Sequence, residues 1–219
     1  MKQQLTIFFI LIMVAGNIFP FGNGIDSSGK TIDQYIESFP YEEISDIERS
    51  SLLHLREEEK LARDVYSYLY DIWGMRIFNN ISSSEQKHMD AIEAILHKYN
   101  IPDPVISNDR GVFADEGLKE LYTKLITLGE RSLSDALFVG ATIEDLDIFD
   151  LQNALLKIDN IDIIFVFSNL KKGSENHIRA FTSQLKRFNI TYQAQYISQE
   201  ELDIILSSNG NGKGRGRNN

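Results

Sequence analysis

SDIERSSLLHLREEEKLARDVYSYLYDIWG (45–74) is the stretch on which the fold turns. Ser45 with Glu48 three residues later is a capping box, and Gly74 is a helix stop, so the spacing predicts one long helix from about Ser45 to Trp73. At about 100° per residue its apolar stripe is Ile47, Leu55, Ala62, Val65, Leu69 and Ile72. Glu58 falls in the middle of that stripe, Glu57 and Glu59 project to either side, and His54 stands near its edge. A carboxylate on a face that should be buried is costly unless something compensates its charge.

Working outward, the same pattern recurs three times. A second helix is expected from about Phe78 to Tyr99, ended by Asn100 and the Pro102, Pro104 pair. Its stripe of Ile81, Ile92, Ile95 and Tyr99 contains both Glu85 and His88, an ExxH pair on one face. Residues 100–131 form a long connection with its own short helix from about Asp115 to Leu128. A third long helix, Leu133 to Ile158, carries Glu144 at the centre of its stripe and Asp147 towards one side. After a turn at Asp159 and Asn160, a fourth runs from Asp162 to Phe188 with Ser174, His177 and Gln184 among its apolar positions, and a short helix near Ser198 to Leu206 closes the domain. The expected fold class is therefore all-α. Two hairpins joined by a long crossover make it a ferritin-like four-helix bundle with short accessory helices.

The inward polar residues also reach one height. With a rise of about 1.5 Å per residue, Glu58 lies roughly 24 Å before the Gly74 turn, and Glu85 and His88 roughly 16 and 21 Å after it. Measured from Asn160, Glu144 and Asp147 lie roughly 24 and 20 Å back and His177 roughly 25 Å forward. Carboxylate oxygens with imidazole nitrogens suit iron, manganese or zinc, and a dimetal site in a bundle core takes Glu from two helices and ExxH from two. The expected ligands are Glu58, Glu85, His88, Glu144, Asp147 and His177, holding one or two ions, with iron favoured and manganese or zinc as alternatives. If the protein is an enzyme, its class is a carboxylate-bound metal oxidoreductase acting on ferrous iron, peroxide or dioxygen. The competing reading is a non-catalytic bundle whose inward polar residues form a hydrogen-bonded network.

Composition bounds the rest. The chain has 219 residues, 42% hydrophobic and 25% charged, which is ordinary for a globular domain. Without cysteine, thiol catalysis, iron–sulfur clusters and thiolate zinc sites are excluded. A net charge of −10 argues against duplex nucleic acid as a partner, since phosphate binding needs a basic face. No phosphate-cradling glycine loop or nucleophile elbow is present. Metal ions are the expected partners, and self-association into a homo-oligomer is left open. Residues 1–24 place Lys2 before the apolar run Leu5 to Gly16, which is about a dozen residues against the roughly 20 of a spanning helix, and reads as a secretory signal. Secretion or residence in the cell envelope follows, with membrane attachment only if the signal stays uncleaved. Residues 25–44 are a lead-in, 45–206 the helical domain, and 207–219 a flexible Gly, Asn and basic tail.

LREEEKLARDVY (55–66), SEQKHMDAI (84–92), GATIEDLDIFDL (140–151) and GSENHIRAF (173–181) together resemble the uncharacterised ferritin-like family known as domain of unknown function 2202. The resemblance covers nearly all of 45–205 and implies a ferritin-like bundle, often exported, with no established reaction. Against the broader ferritin and rubrerythrin pattern, it would match Glu58 to the first-helix glutamate, Glu85 and His88 to the first ExxH, Glu144 to the third-helix glutamate and His177 to the second histidine. The departure is Ser174, which stands where a second ExxH would have its glutamate; the two alternatives are Asp147 in its place or a site for one metal only.

Overall fold

The computed structural model describes residues 31–208, and every regular element among them is helical. The signal reading of 1–24 and most of the tail lie outside the described residues. Helix α1 (Ile32–Ile36), in the lead-in, was not expected; Thr31 and Gln34 cap it reciprocally and its Ile36 is fully buried. Helix α2 (Asp46–Trp73) begins at the expected capping box, with both halves formed between Ser45 and Glu48. It ends where Gly74 turns left-handed at φ 60°, a conformation glycine adopts without penalty.

Helix α3 (Arg76–Lys98) follows almost at once, so it returns antiparallel along α2. Helix α4 (Glu116–Gly129), capped by Asp115, lies in the crossover and packs on α2 and α5. Helix α5 (Leu133–Leu155) is capped by Ser132 and stops three residues short of the expected Ile158. Helix α6 (Ile161–Leu185) tightens into a 3-10 turn at Lys186–Phe188, and α7 (Gln199–Ser207) ends one residue beyond the expected boundary. The long helices α2, α3, α5 and α6 pack as two hairpins, α2 meeting α5 and α3 meeting α6. Among the described residues no helix is long and apolar enough to cross a membrane.

Two expected stripe residues, and the apolar residue at the expected end of the fourth helix, are not in the core. Ile47, Ile72 and Phe188 are each between 42% and 49% exposed, because they sit in the outermost turns, beyond the reach of the facing helices. The core itself is two clusters separated by a charged layer. One gathers Leu61, Val65, Tyr66, Phe78, Leu137 and Phe181. The other gathers Leu52, Ile92, Ile95, Leu151, Phe167 and Leu170. On every long helix the interval between these clusters carries or adjoins the polar residues singled out in the sequence.

Candidate metal centre

From α3, Glu85 stands at the middle of the layer with both oxygens facing imidazoles. His88 Nδ1 lies 2.6 Å from its Oε2, and His177 Nδ1, from α6, lies 2.8 Å from its Oε1. Neither approach has hydrogen-bond alignment, so both Glu85 oxygens are buried without a donor. From α2, Glu59 Oε2 bonds His88 Nδ1 at 3.0 Å. From α5, Glu144 Oε2 lies 3.3 Å from His177 Nδ1, and its other oxygen accepts from Tyr66 Oη at 2.6 Å. The two imidazoles stack at 5.7 Å between centroids. Two triads result, Glu59–Glu85–His88 and Glu85–Glu144–His177, each with its potential ligand atoms within 4.8 Å of one another and sharing Glu85.

Of the residues expected from the sequence, Glu85, His88, Glu144 and His177 come together. Asp147 lies one turn beyond Glu144, is 2% exposed and has no donor on either oxygen. Glu58 is equally buried but stands one residue aside, next to His54 and Asp150, and it is Glu59 that contacts His88. The expectation that Glu59 projects away from the stripe is thus corrected. Its signal was present, since Leu52, Leu55, Glu59, Ala62, Tyr66 and Leu69 form a row of alternating three and four spacing as regular as the one through Glu58. Ser174 takes no part: it is fully buried and its hydroxyl donates to the Leu170 carbonyl at 3.2 Å. Tyr99 is also elsewhere, bonded to Asp162 at the far end of α3.

Gly173 is a second residue the sequence reading did not single out. A Cβ there would stand 2.7 Å from His88 Nε2, too close for real atoms, so α6 can approach the ring only where it has no side chain.

Burial disfavours every charge in the layer, and the neighbours decide which groups resist. Glu59 is pushed up to about 8 by burial despite His88. Glu58 and Asp147 are raised well above the usual carboxylate range by burial and then by adjacent acids, and Glu144 is raised for the first of these reasons. Glu85 alone is lowered, because His88 and His177 overcome its burial. Burial acts against His88 and His177 as cations, yet Glu85 and its neighbours raise both, His177 to about 10. Too many acids thus share two cationic rings. A divalent cation between the triads would supply the missing charge to donors of the right chemistry, oxygen and imidazole.

Known proteins resemble the chain over the same helical region. A family model described as an uncharacterized protein domain (DUF2202) matches residues 48–209. The uncharacterized protein MJ0754 of Methanocaldococcus jannaschii is similar at 54% identity over 175 residues, covering 80% of this chain and 95% of that one. The crystal structure of that hypothetical protein superposes with a TM-score of 0.78, over 78% of this chain and 98% of its own.

Proposed function

The chain belongs to the DUF2202 family, and from that premise and the core geometry we propose that it is a ferritin-like four-helix bundle holding two divalent metal ions, iron foremost, in its polar layer. One observation carries the reading: two carboxylate–imidazole triads, buried except for the partly exposed His177, share Glu85, whose oxygens have no donor. Glu59, Glu85 and His88 would hold one ion and Glu85, Glu144 and His177 the other. Asp147, donorless beside them, would supply the carboxylate that Ser174 does not. A bound iron pair supplies one-electron steps and a Lewis acid, which makes oxidation of ferrous iron or reduction of peroxide or dioxygen the fitting reaction class. The chain's own part is to fix the ligands. Tyr66 orients Glu144, Gly173 leaves room for the His88 ring, and the two apolar clusters exclude water from above and below. We also read residues 1–24 as an export signal, which the N-terminal mass of the mature protein from its native cells would test.

A second reading has its own observation. The Glu59–His88 and Tyr66–Glu144 hydrogen bonds could belong to a polar network that needs no metal. Metal-stripped, full-length chain reconstituted anaerobically with ferrous iron separates the two. Two irons retained per chain after desalting, with a melting temperature that chelation lowers, are expected of the metal centre, because a ligand bound only by the folded state adds stability. No retained metal and no effect of chelator would leave the network.

A further inference from the structure

The charged layer does not end at the buried triads. On α5, Glu144, Asp147 and Asp150 recur every third residue, about 4.5 Å apart along the axis. Their burial falls in that order: the first two are closed off, whereas Asp150 is half-buried. Helix α2 runs antiparallel beside this ladder and presents Glu59, Glu58 and then His54, whose side chain is 48% exposed. Asp150 and His54 line a surface pocket of about 610 Å³ together with Ser50, Ser51, Asn153 and, as its one cation, Lys157.

Beside that pocket, potential ligand atoms of His54 and Asp150, which line it, and of the buried Glu58 lie within 4.8 Å of one another. Glu58 Oε2 is the telling atom. It is buried, has no hydrogen-bond donor, and faces His54 Nε2 at 3.8 Å, a gap too wide for a hydrogen bond and open to a bridging ion. Among the described residues, neither Glu58 nor Asp150 is ion-paired with a lysine or arginine. We propose that His54, Glu58 and Asp150 form a solvent-accessible site for a divalent cation, from which metal passes along Asp147 to the buried triads. Two carboxylates and an imidazole at the outer end of an acidic row outnumber Lys157 and concentrate cations there, and partial exposure of two ligands lets an ion arrive hydrated and leave again. The site stands on its own residues; only the delivery role rests on the metal-centre reading.

The test is a titration of metal-stripped, full-length chain with manganese(II), following free Mn(II) by electron paramagnetic resonance and rapid loading by stopped flow. His54→Ala and Asp150→Asn are the variants, both at exposed or half-exposed positions that the core does not need. The unaltered chain should take up three ions, one weaker than the others. Each variant should lose the weak ion and load the remaining two about tenfold more slowly. Equal stoichiometry and equal loading rates in all three proteins would overturn the proposal while leaving the buried centre intact. A single ion, lost in His54→Ala and kept in Glu85→Ala, would sustain the outer site and refute the inner one.

Discussion

Asp145 and Asp147 are two residues apart on α5 and buried to the same depth, yet their surroundings are opposite. Asp145 accepts from the Tyr192 hydroxyl at 2.8 Å and from the backbone N–H groups of Gln195, Tyr196 and Ile197, which strap the segment after α6 to the helix. Asp147, on the side facing α2 and α3, accepts from nothing. The same division runs through the buried carboxylates of the whole domain. Glu48 is held by Ser45 and the N–H groups of Asp159 and Asn160, and Asp162 by Lys98 and Tyr99, while Glu85 has both oxygens unmatched. Folded proteins satisfy nearly all buried polar atoms. A saturated carboxylate is therefore a structural joint, and a set of unsaturated ones around two imidazoles is what the proposed metal centre would satisfy.

Substitution should separate the two sets. Glu85→Ala has the largest expected effect on binding: with the shared carboxylate gone, both inner ions are lost in elemental analysis, while the helical circular-dichroism spectrum is retained. Ions retained at full number in that variant would mean that Glu85 is not the shared ligand. Asp145→Ala should do the reverse. Leaving four donors without an acceptor costs about 3 kcal/mol, or roughly 10 °C in melting temperature, with the number of inner ions unchanged. Gly173→Ala comes third. Pressing on His88 without altering any ligand, it should weaken metal binding by about 10- to 100-fold, the range for groups that orient a ligand; binding at full strength would mean that the ring has another place to go.

Much of this was legible in the chain. Ser45, Glu48 and Gly74 bound α2 through local chemistry alone, and the ExxH spacing of Glu85 and His88 already put both on one face. What a helical wheel cannot do is choose among Glu57, Glu58 and Glu59, because it assumes that one side of a helix faces water. Here the crossover covers the far side of α2. Arg56 binds Asp103 at 2.7 Å, Glu57 accepts from the N–H groups of Ala114 and Asp115, and Lys60 pairs with Asp64 beneath the Phe113 ring. Residues 55–62 are consequently buried all round, and only the partners on the facing helices single out Glu59. The division between Asp145 and Asp147 is non-local in the same way, since it depends on a segment some 50 residues further along the chain.

The smallest expected effect is on the pH dependence of the metal-free protein, and it tests the division without any substitution. An acid whose folded value is raised keeps, in the folded state, a proton that the unfolded chain has released. Its stabilising contribution is complete below its ordinary 4.5 or 3.8 and is lost as pH rises towards the folded value, about 8 for Glu59. The raised imidazoles act in the same direction: their contribution is complete below 6.5 and is lost as pH rises through the folded value, about 10 for His177. Glu48 and Glu85 are lowered, so theirs is present above 4.5 and disappears only on the acid side. Between pH 5 and pH 8 the donor-poor cluster therefore dominates, and the metal-free protein should melt earlier at pH 8 than at pH 5. Bound cations require deprotonated ligands, so loading should reverse the slope over the same window. Calorimetric melting of both forms at the two pH values measures this directly. A metal-free protein at least as stable at pH 8 would mean that the buried acids of the layer have partners enough in the fold itself.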